Sequence, residues 1–336
     1  MVTRLRIGLP RGLSSSYLRR RLLTAVLVFV VVYVLNFLIP RLQPGSYVST
    51  IASSNLEPEA RQQLIALYGL DQPVSQQFIQ YVKQTLLSFP PSYGQSFSHY
   101  PLTVWTVVSV ALPWTLLLII MAQTISWTGG ITLGAWLGWH SGSKADSLMV
   151  GVSTFMWGVP SWWLATILIY VLAIKLQIFP PALTATVTGG NILEQFLDVL
   201  RHAFLPVLTL VLLNLPLDAM VMRNSMINVL QDDFMIAAAA RGLSTRRLVF
   251  GHAVRNALLP TVTNLALGFG NVLSGAYLTE IIYSYPGMGY LITQAVFARD
   301  YPMLQGIFFF SALLVISANV LADLAYLFLD PRVEYW

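Results

Sequence analysis

The stretch that decides the fold runs from Thr115 to Gly138 and reads TLLLIIMAQTISWTGGITLGAWLG. It contains no charged residue, and most of its side chains are apolar. The hydrocarbon core of a bilayer is about 30 Å thick, and an α-helix needs roughly 20 apolar residues to cross it. Because the backbone finds no water in that core, its polar groups must bond within the helix. The stretch therefore predicts a transmembrane helix.

Further stretches on both sides of it are long and apolar enough for the same interpretation: Leu22–Ile39, Leu148–Ile174, Ala203–Met222, Leu258–Tyr283 and Gly306–Leu329. The sequence thus predicts an all-α integral membrane protein with six transmembrane helices. The first of these stretches follows three arginines, as the apolar region of a signal peptide would. It is longer than such a region, however, and it ends at Ile39-Pro40-Arg41 without a small-residue cleavage site. We interpret it as an uncleaved anchor.

The composition agrees with a membrane protein. Of 336 residues, 56% are hydrophobic and only 10% are charged, and the mean hydropathy is +0.67. A soluble domain carries about 25% charged residues. The sequence has no cysteine, which excludes a disulfide framework, a thiolate metal site and a thiol nucleophile. The net charge of +5 is spread beside apolar stretches, so it does not indicate nucleic-acid binding.

The basic residues fall mainly on one side of these stretches. Cytoplasmic segments of membrane proteins carry an excess of Lys and Arg. With the N-terminus inside, the inner segments hold 13 of the 19 basic residues: Arg4, Arg6, Arg11, Arg19, Arg20, Arg21, Lys144, Arg223, Arg241, Arg246, Arg247, Arg255 and Arg332. The outer segments are longer in total and hold the rest. We therefore expect a multi-pass protein of the cell membrane with both termini in the cytoplasm.

This topology divides the chain into four parts. Residues 1–21 form a cytoplasmic tail, 22–39 the first transmembrane helix, 40–114 an extracytoplasmic segment and 115–336 the core transmembrane domain. The extracytoplasmic segment has helical spacing over Glu57–Leu70. Residues 102–113 are apolar but too short to span, and we expect them to form a helix along the outer interface.

The core domain contains the longest and most basic cytoplasmic loop, residues 223–256. From Asn228 to Pro260 the chain reads NVLQDDFMIAAAARGLSTRRLVFGHAVRNALLP. Asp232 and Asp233 suit a helix N-cap, and the alanines that follow favour a helix. We expect Gly242 to end that helix in a left-handed conformation and Ser244 to cap a second one. Small side chains with flanking arginines suit close approach by another protein, and a solvated surface hairpin is the alternative.

Several runs of this sequence resemble one protein family. The runs Ala240–Arg247 (ARGLSTRR) and His252–Pro260 (HAVRNALLP) resemble the cytoplasmic coupling loop of the dipeptide/oligopeptide/nickel class of ABC importer permeases, which is that family's form of the EAA motif. The motif's acidic first position falls on Ile236, so we expect no carboxylate contact there. Further runs resemble the family's other segments, in the family's order: Pro44-Gly45, Tyr68–Pro73, Glu280–Gly289, Arg299–Pro302 and Leu329–Arg332.

The resemblance implies the six-helix permease fold and a subunit that forms half of a translocation pathway for peptides. A nickel chelate or an oligosaccharide is the alternative solute. The implied partners are a homologous second permease, two ATP-binding cassette ATPases, an extracytoplasmic solute-binding protein and the bilayer. The sequence has no Gly-x-x-x-x-Gly-Lys-Ser/Thr phosphate loop. We therefore expect a chain that is not itself an enzyme and binds no cofactor, with ATP and Mg²⁺ bound by the ATPases.

The resemblance also implies which residues contact the ATPases. At that coupling interface it places Ala237, Ala238, Arg241, Gly242, Leu243, Ser244, Arg246, Arg247, His252, Arg255 and Asn256.

Polar residues inside the predicted spans are candidates for the translocation pathway: Asn214, Asp218 and Asn271. A charge inside a bilayer costs about 2.5–3.5 kcal/mol on insertion scales, so such residues face protein or water. For Asp218 the alternative is snorkelling of the side chain or pairing with Arg223 near the inner face. For the asparagines it is hydrogen bonding between helices.

A small-residue face on the second predicted span, formed by Gly130, Gly134 and Gly138, indicates a helix-packing surface. The alternative function class for the whole chain is a channel or a secondary transporter not driven by ATP. Neighbouring genes for a second permease and ATPases would decide between the two classes. The histidines are too scattered for a zinc site, so metal-dependent hydrolysis is not expected.

Overall fold

The computed structural model describes residues 15–42, 59, 62, 71–182, 191–267 and 269–329. Within these ranges the protein is helical, and the only extended pairing is a single bridge between Gln95 and Thr103. The helices, numbered along the chain, are α1 Ser15–Leu42, α2 Val74–Thr85, α3 Val104–Trp139, α4 Lys144–Trp157, α5 Ser161–Leu168, α6 Ile192–Leu230, α7 Asp233–Ala240, α8 Val254–Leu267, α9 Phe269–Ile282, α10 Met288–Phe297 and α11 Tyr301–Leu329. Two π-helical segments, Ile169–Lys175 after α5 and Arg247–Ala253 before α8, continue these helices.

Four described helices are long and apolar enough to cross a membrane: Arg19–Leu42 within α1, all of α3, all of α6, and Tyr301–Leu321 within α11. The pair α4 and α5 is a fifth candidate if the two helices count as one span. The prediction of an all-α membrane protein is confirmed. The stretch Leu258–Tyr283, predicted as one further span, is occupied by α8 and α9 on either side of residue 268.

The prediction of one uninterrupted helix over Leu148–Ile174 is wrong. The chain bends by 102° between α4 and α5. The break lies at Gly158-Val159-Pro160, where Pro160 has an extended backbone (φ −66°, ψ 138°). A proline disfavours helical geometry in the residue before it, which explains why the helix ends here although both flanking stretches are apolar.

The prediction of a separate interfacial helix over residues 102–113 is also wrong, because these residues open α3. Val104, Val108 and Ala111 are buried and share a face with buried Leu118 of the same helix. A continuous packed face therefore carries the helix through Pro113, which transmembrane helices tolerate. The predicted helix Glu57–Leu70 lies almost entirely outside the described residues.

The described chain forms two compact units. Residues 116–285 make up most of the first, and residues 24–115 with 286–316 make up the second. The second unit has an aromatic core in which Tyr33 and Phe37 of α1 pack on Tyr81 of α2, with ring centroids 4.8 and 5.3 Å apart. Tyr93 and Phe309 extend this core. Burial raises the pKa of the Tyr81 and Tyr93 hydroxyls, so both stay protonated.

A buried carboxylate organises the same unit. One oxygen of Asp300 accepts hydrogen bonds from the Ser96 hydroxyl (2.6 Å), the Ser98 hydroxyl (2.8 Å) and the Ser98 backbone amide (2.9 Å). The other oxygen accepts from the Met303 amide (3.1 Å) in the first turn of α11. Asp300 is fully buried. It therefore joins the loop before α3 to the start of α11.

Candidate functional site

The connection between α6 and α8, residues 231–253, contains most of the predicted site, and Arg255 and Asn256 follow in the first turn of α8. Helix α6 runs to Leu230, so the first part of the predicted loop continues the preceding helix. Helix α7 then begins after Asp232, whose backbone has the extended geometry of an N-cap (φ −70°, ψ 144°). The Asp232 side chain makes no capping hydrogen bond, so the predicted cap is present in the backbone alone.

Gly242 ends α7 as predicted. The Gly242 amide donates to the Ala239 carbonyl (2.9 Å), and its φ of +76° lies in the left-handed region. A Cβ added at this position would meet nothing within 4 Å. The glycine is therefore required here by the backbone conformation, and the space around it is open.

One face of α7 packs into the core of the first unit. Met235 and Ala238, one turn apart, are 5% and 8% exposed. Met235 belongs to a buried cluster with Met222 and Met226 of α6 and Ala253 of the π-helical segment. Helical spacing turns Ala238 inward together with Met235, and its contact with a partner stays a prediction.

The face of the connection that points away from the helix core is exposed, and we call it the outer face. The predicted site residues that lie on the surface are Ala237, Arg241, Gly242, Ser244, Arg246, Arg247 and Arg255. Leu243, His252 and Asn256 are half-buried. The Asn256 side chain donates to the His252 carbonyl (2.7 Å), so its amide bonds within its own helix. The structure thus brings most of the predicted set to one exposed segment.

Sequence reasoning missed three large apolar side chains on this segment. Phe234, Ile236 and Phe250 are 42%, 63% and 68% exposed. Exposed apolar side chains beside arginines are typical of a protein–protein interface. The signal was available in the sequence, because Phe234 and Ile236 flank Met235 in an otherwise polar and Ala-rich stretch.

A partly buried ion pair lies near the C-terminal end of α6. The Arg223 guanidinium donates from Nε to Asp146 Oδ1 (2.5 Å) and from its second terminal nitrogen to Oδ2 (2.6 Å). Asp146 also accepts from the Gly142 amide (2.9 Å), and its own amide donates to the Ser143 hydroxyl (3.2 Å) at the N-cap of α4. The alternative that Asp218 pairs with Arg223 is therefore wrong, because Asp146 occupies the guanidinium.

The three pathway candidates are not gathered into one site. The Asn214 side chain donates to the Leu210 carbonyl (2.9 Å) of its own helix. Asp218 packs beside Gly130, and among the described residues its buried Oδ2 has no hydrogen-bond partner. The side chain of Asn271 lies outside the described residues.

The predicted small-residue face is confirmed as a packing surface. A Cβ at Gly138 would lie 2.5 Å from the Met226 Cβ, and a Cβ at Gly130 2.6 Å from the Asp218 Cβ. A Cβ at Gly134 would meet the backbone carbonyl oxygen of Ala219. Helices α3 and α6 therefore approach each other at distances that only glycine allows.

Comparison with protein families gives two matches that together cover most of the chain. The family described as "Binding-protein-dependent transport system inner membrane component" matches residues 130–335. A second family, described as "Binding-prot-dependent transport system membrane comp, N-term", matches residues 15–119.

Curated relatives are similar over nearly their whole length. The oligopeptide transport system permease protein AppB of Bacillus subtilis is 30% identical, over 96% of this chain and 100% of the relative. The di/tripeptide transport system permease protein DppB of Pseudomonas aeruginosa is 32% identical, over 95% of this chain and 99% of the relative. The dipeptide transport system permease protein DppB of Escherichia coli K12 is 30% identical over the same shares. A solved amino acid ABC transporter chain superposes with a TM-score of 0.49 at 15% identity, covering 68% of this chain and 94% of that chain.

Proposed function

This chain belongs to the family of binding-protein-dependent transport system inner membrane components, and we propose that it forms half of the pathway through which an ABC importer takes up peptides. It is a multi-pass membrane protein and a permease subunit of such an importer. Peptide is the solute that the relatives support: proteins named for oligopeptide, di/tripeptide and dipeptide transport are 30–32% identical over at least 95% of the chain.

The rest of the complex follows from this role. A homologous permease would supply the other half of the pathway, two ATP-binding cassette ATPases would bind ATP and Mg²⁺, and an extracytoplasmic solute-binding protein would deliver the peptide. The exposed outer face of residues 231–253 suits docking of an ATPase. Its apolar side chains Phe234, Ile236 and Phe250 would be buried by that partner, and its arginines would add charge complementarity.

The coupling mechanism can be stated in terms of this segment. Closure of the ATPases on ATP would carry α7 with them. Because Met235 anchors α7 in the same buried cluster as Met222 and Met226, that displacement would reach the inner end of α6. A rigid lever joined to a bundle with two stable packings is what alternating access requires.

The solute is tested with the solute-binding protein that associates with this complex. We expect it to bind di- and oligopeptides, and we expect peptide uptake to stop in cells that lack this chain. The same panel contains a nickel chelate and an oligosaccharide. Binding of either of these, with no binding of peptide, would contradict the peptide proposal while leaving the permease role intact.

The coupling segment is tested with Gly242→Phe in the reconstituted complex. A bulky side chain here should weaken ATPase engagement by about 2–4 kcal/mol, roughly 30- to 1000-fold, as at a disrupted interface hot spot. We expect loss of the stimulation of ATP hydrolysis by loaded binding protein.

Two matched variants separate bulk from backbone strain. Gly151→Phe is the control for bulk, because Gly151 is an exposed position outside the segment and nothing lies within 4 Å of its Cβ position. Gly242→Asn keeps the left-handed backbone at low cost. We expect near-normal stimulation in both. Normal stimulation in Gly242→Phe would refute the role of the segment.

A further inference from the structure

We propose that the partly buried Asp146–Arg223 ion pair is a positioning element for transport: it fixes the C-terminal end of α6, and through it α7, to the start of α4. This inference rests on the proposed coupling role of α7. The pair joins residues that are far apart in the sequence, and both side chains are mostly buried (4% and 17% exposed).

The geometry of the pair is that of a rigid link. The two parallel N–H···O bonds fix the guanidinium and carboxylate planes relative to each other, which a single point contact would not do. Asp146 Oδ2 also accepts from the Gly142 amide, and the third guanidinium nitrogen donates to the Asn224 side-chain oxygen (3.0 Å). The carboxylate is therefore held from both sides, by α6 and by the turn before α4.

Stability alone does not account for such a pair. Removing two charges from water costs about as much as their attraction returns, and apolar residues of similar volume often fold equally well or better. What the pair adds is a defined position for α6 against α4. The Ser153 hydroxyl strengthens the same contact, since it donates to the Pro216 carbonyl (2.9 Å).

The link continues to the coupling helix. From Arg223 the helix α6 runs without interruption to Leu230, a rise of about 10 Å. Met226 and Val229 on this last part pack in the buried cluster that holds Met235 of α7. Helix α4, the inner end of α6 and α7 therefore move as one body, and the break at Gly158-Val159-Pro160 is the point where this body can hinge.

The test compares single and double replacements in the reconstituted complex with its ATPases, binding protein and peptide. Arg223→Met leaves a buried carboxylate without its partner, so we expect a lower thermal midpoint and reduced stimulation of hydrolysis. The double variant Asp146→Leu with Arg223→Met leaves no unpaired charge, so we expect a midpoint near that of the unmodified protein. The ratio of stimulated to basal hydrolysis should nevertheless remain about tenfold low, a size typical of allosteric coupling.

Two further variants separate the bidentate geometry of the pair from the presence of a charge. Arg223→Lys keeps the charge but loses the bidentate contact, and we expect an unchanged midpoint with reduced stimulation. Lys144→Met removes an exposed charge from the same turn and should behave as the unmodified protein. Normal stimulation in the double variant, or in Arg223→Lys if the double variant does not fold, would overturn the proposal. A failure of the coupling role itself appears separately, as normal stimulation in Gly242→Phe.

Discussion

At the scale of single residues, glycine serves two different purposes in this protein. Gly242 is needed for its left-handed backbone, and the space around it is open. Gly134 has no positive φ, and it is needed because the Ala219 carbonyl of α6 occupies the place of a Cβ. Substitutions at the two positions should therefore fail for different reasons, the first at a partner interface and the second in folding.

Gly134→Leu should destabilise the folded chain. The atoms it meets are two backbone atoms of Ala219 and the Cβ of Met222, none of which can rotate away, and overpacking of this kind costs about 1–3 kcal/mol. We expect a lower thermal midpoint in detergent and less folded protein in the membrane. Gly151→Leu is the matched control on α4, since nothing lies within 4 Å of its Cβ position. Equal stability of the two variants would contradict the close packing of α3 on α6.

Predictions about single residues were confirmed where the sequence pattern within one helix determines the structure. The end of α7 at Gly242 and the glycine face of α3 follow from spacing within one helix. The Asp146–Arg223 pair could not be found this way, because it depends on the packing of α4 against α6. Asp218 lies closer to Arg223 in the sequence, and proximity along the chain suggested the wrong partner.

At the scale of elements, hydropathy located the helices but did not set their ends or bends. An apolar stretch looks the same whether it is one span or two helices at 102°, so only Pro160 marked the break between α4 and α5. The opposite error occurred at α3, where residues 102–113 were predicted as a separate helix and the helix continues through Pro113. The outcome depends on whether a packed face of the helix continues past the proline. Composition carries no information about that packing.

Helix α11 offers a test of how one element is fixed at its start. Asp300→Ala removes the acceptor for Ser96, Ser98 and the Met303 amide in a fully buried site. Buried donors left without a partner cost about 1–3 kcal/mol each. We expect a clear fall in the thermal midpoint and reduced uptake, whereas Asp71→Ala, at an exposed position, should change neither. An unchanged midpoint in Asp300→Ala would show that the serines find other acceptors.

At the scale of the whole molecule, the basic residues predict which side of the membrane each segment faces. The chain has no cysteine, so a single introduced thiol reports its own side. Ser92→Cys and Ser244→Cys are exposed positions, predicted outside and inside respectively. An impermeant thiol reagent on intact cells should label the first and not the second, and both should react after the membrane is opened. The reverse pattern in intact cells would overturn the proposed orientation.

The apolar side chains on the outer face of the α6–α8 connection also bear on the life of the subunit before it joins its complex. If the ATPases dock here as proposed, a newly made chain that has not bound them presents Phe234, Ile236 and Phe250 to water. Such surface promotes aggregation and is the kind that chaperones and quality-control proteases bind. We expect an orphan chain to be cleared quickly and an excess of ATPase subunits to protect it. The cellular amount of this protein would then be set by the supply of its partners more than by its own synthesis.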